Sequence, residues 1–118
     1  MDSEFTSVIT MNKYRDKSDF EINKAVAVNI NGTDAVVEKF GRIYISDSDA
    51  MVSFDPCNNP ADAMPIIIEN NISILANWGI NGEWAATYEL SRHIKYNKNP
   101  LRAAMEVFLM MKDAENES

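Results

Sequence analysis

Five basic residues, Arg92, His93, Lys95, Lys98 and Arg102, follow one another without an intervening acid and lead into Asn99-Pro100, a cap-then-proline pair that opens a helix. Free amides at a helix start, joined by two or three cations, suit a phosphate-like anion. Arg102 in a first turn opposes the helix dipole, so it calls for a carboxylate such as Asp62 or for a bound anion. The same run also reads as a solvated connection with Arg102 in a surface ion pair worth about 0–1 kcal/mol. A second cluster, Asp55, Cys57, Asn58 and Asn59, precedes Pro60 and places a carboxylate, a thiol and two carboxamides beside another helix start. Those residues would hold a polar ligand, and they equally satisfy a turn. Trp84, with Trp78 and Tyr88, offers a surface on which a base could stack, while aromatics at hairpin spacing also pack across strands. The candidate ligand-binding set is therefore Arg92, Lys98, Asn99, Arg102, Asn58, Asn59 and Trp84.

The elements that must position these groups follow from local pattern. Ser18-Asp19-Phe20-Glu21 has capping-box spacing, which predicts a first helix from about Asp19 to about Val28, ended by Asn31-Gly32. Val36, Val37, Phe40, Ile43, Tyr44 and Ile45 predict two short strands around a turn at residues 40–42, and Met51 to Phe54 is a brief apolar stretch at most ending a strand. Pro60 at a first helical position predicts a second helix to Glu69, apolar nearly all round. Ile72 to Ile80 alternates, Asn81-Gly82 supplies a type I′ turn and Glu83 to Tyr88 returns. In that hairpin Gly79 falls opposite Trp84 and Trp78 opposite Ala85. Residues 90–98 read as a polar connection, and a third helix runs from about Pro100 to about Lys112, its wide apolar stripe making it central or part of a subunit interface. The order α-β-β-α-β-β-α implies an α+β fold with a mainly antiparallel sheet of about four strands and three helices. Residues 1–10 read as a tail or expression scar, with Met11 an equal candidate for the start, residues 11–114 as one domain and 115–118 as a frayed acidic tail.

Composition bounds what this domain does. The 118 residues are 46 % hydrophobic and 25 % charged, an ordinary globular balance that buries about two-thirds of the extended chain's surface. Eleven lysines and arginines against 18 aspartates and glutamates give a net charge of −7, unsuited to a long phosphate backbone. The single cysteine, Cys57, excludes an intrachain disulfide, and the single histidine excludes histidine-based metal sites. Nothing local brings that thiol to His93, and no acid/base pair or phosphate-cradling glycine loop is present, so no catalytic residues, metal or cofactor are assigned and a binder is expected rather than an enzyme. No apolar run is long enough for a membrane span, and a cytoplasmic protein is expected.

The segments Ser18-Asp-Phe-Glu-Ile-Asn-Lys-Ala-Val-Ala27, Cys57-Asn-Asn-Pro-Ala-Asp-Ala-Met-Pro-Ile-Ile67 and Asn99-Pro-Leu-Arg-Ala-Ala-Met-Glu-Val-Phe-Leu-Met-Met111 resemble the NinX-type family of small proteins from lambdoid and other enterobacterial phages. The similarity runs from about Met11 to about Ala114. The last two segments are also distantly similar to the phage domain in which a sheet lies between helical layers. The resemblance implies a phage accessory protein in the host cytoplasm and carries over no catalytic residues. Met64 stands where a tryptophan is expected in that family, a departure that counts against a pocket role for that side chain. Two readings of function follow: sequestration of a small anionic, nucleotide-like ligand as counter-defence, or a module that binds a host protein through an acidic or apolar surface. Homo-oligomerisation is expected from the apolar second and third helices.

Overall fold

The computed structural model describes residues 13–89 and 93–117; the expectations for residues 1–10 and for Arg92 lie outside them. The first helix, α1 (Asp19–Asn31), begins with the expected capping box: Ser18 Oγ accepts from Glu21 N–H, and the Glu21 carboxylate accepts from Ser18 N–H. It runs three residues past Val28 and stops at Gly32, whose φ of 83° few side chains tolerate. Its buried face is Ile22, Asn23, Val26 and Ala27, an i, i+1, i+4, i+5 stripe.

Strands β1 (Val36–Lys39), β2 (Arg42–Asp47) and β3 (Ala50–Ser53) form an antiparallel sheet in the order β1-β2-β3. The turn between β1 and β2 places Phe40 and Gly41 at positive φ, 53° and 72°, the left-handed pair that a two-residue hairpin requires. The apolar stretch at Met51 is thus a full strand, with Val52 opposite Ile45. Only Ile43 among the side chains of this sheet is buried, and the sheet rests on α1.

Helix α2 (Pro60–Glu69) has the expected bounds, with Asn59 Oδ1 accepting from Ala61 N–H and Pro60 in the first turn. The second sheet, β4 (Ser73–Leu75), β5 (Trp84–Tyr88) and β6 (His93–Asn97), is also antiparallel, in the order β4-β5-β6. Two three-stranded sheets therefore replace a single sheet of about four strands. The residues expected to be a polar connection supply β6, because Lys95 and Ile94 alternate faces on a strand that the polar composition concealed.

The β4–β5 register departs from the expected hairpin by three residues: Leu75, not Trp78, lies opposite Ala85. Asn81 and Gly82 do take positive φ, 67° and 76°. The strand nevertheless ends early, since Asn77 adopts φ 53° and the N–H groups of Trp78 and Gly79 both donate to the Glu83 carbonyl, closing a wider loop. Gly79 meets Tyr96 rather than Trp84.

Helix α3 (Pro100–Glu117) is the centre of the molecule: every residue from Arg102 to Met111 is buried, against β5 and β6 on one side and α1 and α2 on the other. Its all-round apolar pattern is explained inside one chain. It continues past Lys112, where Lys13 and the Tyr14 hydroxyl both engage Asp113 and tie the helix to the segment preceding α1.

Candidate functional site

Two helix starts and the loop between β3 and α2 converge on one polar network. Asn23, buried on α1, donates to Asp55 Oδ1 at 2.7 Å and accepts from the Cys57 N–H at 3.0 Å, holding the loop from both ends. Asn58 Nδ2 donates to Asp55 (3.1 Å) and to Asp19 Oδ2 (3.2 Å), bridging two carboxylates. Asn99 caps α3 through Leu101 N–H at 2.9 Å and donates to the Cys57 carbonyl at 2.6 Å. Asp62 accepts from the Asp55 N–H at 2.9 Å.

Arg102 lies in the interior of this network, its side chain 9 % exposed. Its Nε donates to Glu106 at 2.8 Å, one Nη to Asp19 at 2.7 Å, and the other to the carbonyls of Tyr14 (2.9 Å) and Lys17 (2.6 Å). Burial works against its charge, and the hydrogen bonds it donates to Asp19 and Glu106, with the Glu106 charge, outweigh that, leaving its pKa raised. The compensating carboxylates are thus Asp19 and Glu106, while Asp62 serves the loop. Lys95 faces the other Glu106 oxygen at 3.6 Å, and burial lowers its pKa against the pull of Glu106. Burial, with Asp19 second, pushes the Cys57 thiol far up, so it stays protonated at neutral pH.

Beside this network, between α1 and the first sheet, a cleft of about 400 Å³ is lined by Asp19, Phe20, Asn23, Gly41, Arg42, Ile43, Phe54, Asp55 and Asn58, among others. Its size falls in the usual range for small-molecule sites. Asp55 and Asn58 enter it already oriented by the bonds above. Asp19 is neutralised by Arg102. Arg42, at the start of β2, brings a guanidinium that forms no ion pair among the described residues.

Of the residues expected to bind, the structure brings together Asn58, Asn99 and Arg102, with Asn59 next to them as the cap of α2. Lys98 is exposed at the end of β6, and Trp84 lies opposite Asn97 at the same end of the second sheet. Tyr88 stacks on His93 at the far end of β5. Sequence reasoning missed Asn23, Phe20 and Arg42. Asn23 left one signal, a carboxamide on the buried stripe of a helix. Arg42 left none, because its strand meets α1 only in the folded chain. Among the described residues no group of histidine, cysteine, aspartate and glutamate is arranged to hold a metal ion, and no helix is long and apolar enough to cross a membrane.

The architecture is that of a small α+β protein in which one buried helix carries the second three-stranded sheet and two helical neighbours, the first sheet rests on α1, and a polar cleft lies at that flank. The family model described as Bacteriophage P22, NinX matches residues 13–112, and the chain belongs to that phage family. No match was found among the curated proteins or the solved structures.

Proposed function

We propose that this phage protein is a non-enzymatic binder that sequesters a small anionic, nucleotide-like ligand from host defence, seated in the cleft between α1 and the β1–β3 sheet. The observation that carries this reading is Arg42, a cation with no ion pair among the described residues, at the wall of a cleft whose Asp19, Asn23, Asp55 and Asn58 side chains are already held in place. Arg42 supplies the anion's partner, and its planar fork suits a phosphate. The Asp55 carboxylate, fixed by Asn23 and Asn58, is an acceptor for the N–H edge of a base, and Phe20 and Phe54 give its ring an apolar setting. Arg102 serves by fixing Asp19. A thermal-shift screen of the purified chain against adenosine and guanosine monophosphates and cyclic dinucleotides tests it. Stabilisation by at least one, lost in Arg42→Ala, is expected; no stabilisation by any phosphorylated ligand refutes the proposal. The setting is the host cytoplasm.

The second reading, a module that binds a host protein, is favoured by exposed apolar side chains on an acidic molecule: Phe40 is 87 % exposed and Ile80 82 %. Self-association belongs with it, through Met64 and Ile68, which α2 presents to solvent. Light scattering at tens of micromolar should then give a mass above 13.3 kDa, and a monomer mass ends that idea.

A further inference from the structure

Beyond β4 the loop to β5 encloses a second depression, of about 280 Å³, lined by Trp78, Gly79, Ile80, Glu83 and Tyr96. Its chemistry differs from that of the cleft: two aromatic rings, one carboxylate and no cation. Trp78 is 60 % exposed and Tyr96 46 %, and the Glu83 carboxylate forms no ion pair among the described residues. The floor is Gly79. Its φ of −88° is open to every residue type, so conformation does not demand glycine there. Space does: a Cβ at residue 79 would lie 2.9 Å from Tyr96 Cδ1, 3.1 Å from Glu83 Cβ and 3.3 Å from Glu83 Oε1, occupying the depression itself. The walls are fixed by the Trp78 and Gly79 N–H groups, which share the Glu83 carbonyl at 3.0 and 3.1 Å, and by Tyr96, which β6 holds opposite Ala85.

We propose that this depression takes the side chain of a lysine or arginine from a basic partner protein. Aromatic faces attract a cation through their quadrupole, a carboxylate beside them completes its charge, and the apolar rim at Ile80 keeps water from the contact. A net charge of −7 steers a basic partner toward the whole molecule. The proposal gives the protein-interaction reading a defined contact and rests on it.

The two tryptophans of the full chain supply the assay, since Trp78 lines the depression and Trp84, half-buried at the start of β5, does not. The ¹⁵N-labelled protein is titrated with a capped peptide of alternating glycine and lysine, and with a glycine–glutamate peptide as reverse-charge control. A saturable shift of the Trp78 indole N–H with the lysine peptide alone, the Trp84 signal staying fixed, is expected. Glu83→Gln should weaken it about tenfold, and Gly79→Val, checked for an otherwise unchanged spectrum, should abolish it. Equal shifts with both peptides, or full binding by Glu83→Gln, overturn the proposal. Retention of one and the same host protein by the wild type and by Gly79→Val overturns this contact while leaving the broader reading in place.

Discussion

Arg102 occupies a position that is unfavourable for a cation, and its environment explains why the chain keeps it there. Its guanidinium joins the first turn of α3 to Asp19 at the start of α1 and to two carbonyls of the preceding segment. Arg102→Met should cost about 3–5 kcal/mol in urea unfolding, because Glu106 and the carbonyls remain buried without their donor; a loss below 1 kcal/mol would contradict the network. Cys57, fully buried and held protonated, should react with an aromatic disulfide reagent only as fast as the chain unfolds. The capping box makes a pH-dependent prediction. The Ser18 amide, then its hydroxyl, hold the Glu21 pKa below the ordinary 4.5, so the folded state binds fewer protons than the unfolded one there. That stability is present above pH 4.5 and is lost as pH falls through the lowered folded value. Loss of the N-cap hydroxyl in Ser18→Ala should cost about 1 kcal/mol at pH 7, and the gap in melting temperature should narrow toward pH 3 as Glu21 is protonated.

Among the elements, the two sheets differ in what anchors them. The second lies against α3, with Ala85, Ala86 and Thr87 all inaccessible, whereas the first buries Ile43 alone among its side chains. Local opening should therefore be easier in β1–β3, and native-state hydrogen exchange should show those amides exchanging at least tenfold faster than the amides of β5 and α3. Comparable protection in both sheets would show that the flank is as tightly held as the core. Helix starts were legible because a cap and a proline act within four residues, and both Asn-Pro starts and the capping box stand where the sequence places them. The β4–β5 register was not, because Asn81 and Gly82 keep their positive φ inside a wider loop, which the Trp78 and Gly79 N–H groups close on the Glu83 carbonyl. Nor was β6, since Lys95 is buried only by virtue of Glu106 reaching it from α3.

At the scale of the molecule, the cleft and the aromatic depression divide the electrostatics of an acidic chain. Among the described residues, one offers an arginine without an ion pair beside oriented acceptors, the other a carboxylate without an ion pair beside aromatic rings. The two should be separable: Arg42→Ala should remove nucleotide stabilisation and leave the lysine-peptide shift at Trp78 intact, and Gly79→Val the reverse. Loss of both in either variant would mean that one surface, or one folding defect, underlies the two effects.

By itself the sequence determined the α+β class, all three helix starts, the β1–β2 turn and membership of a phage family, because these depend on caps, turns and periodicities within a few residues or on motifs read in order. Only the tertiary structure decided that the basic run divides, with Arg102 and Lys95 neutralised inside by Asp19 and Glu106. It likewise decided that the cation lining the cleft is Arg42, on a strand far from that run and in no ion pair among the described residues. Charge is counted along the chain, and its availability is set by which carboxylates the fold brings within hydrogen-bond reach.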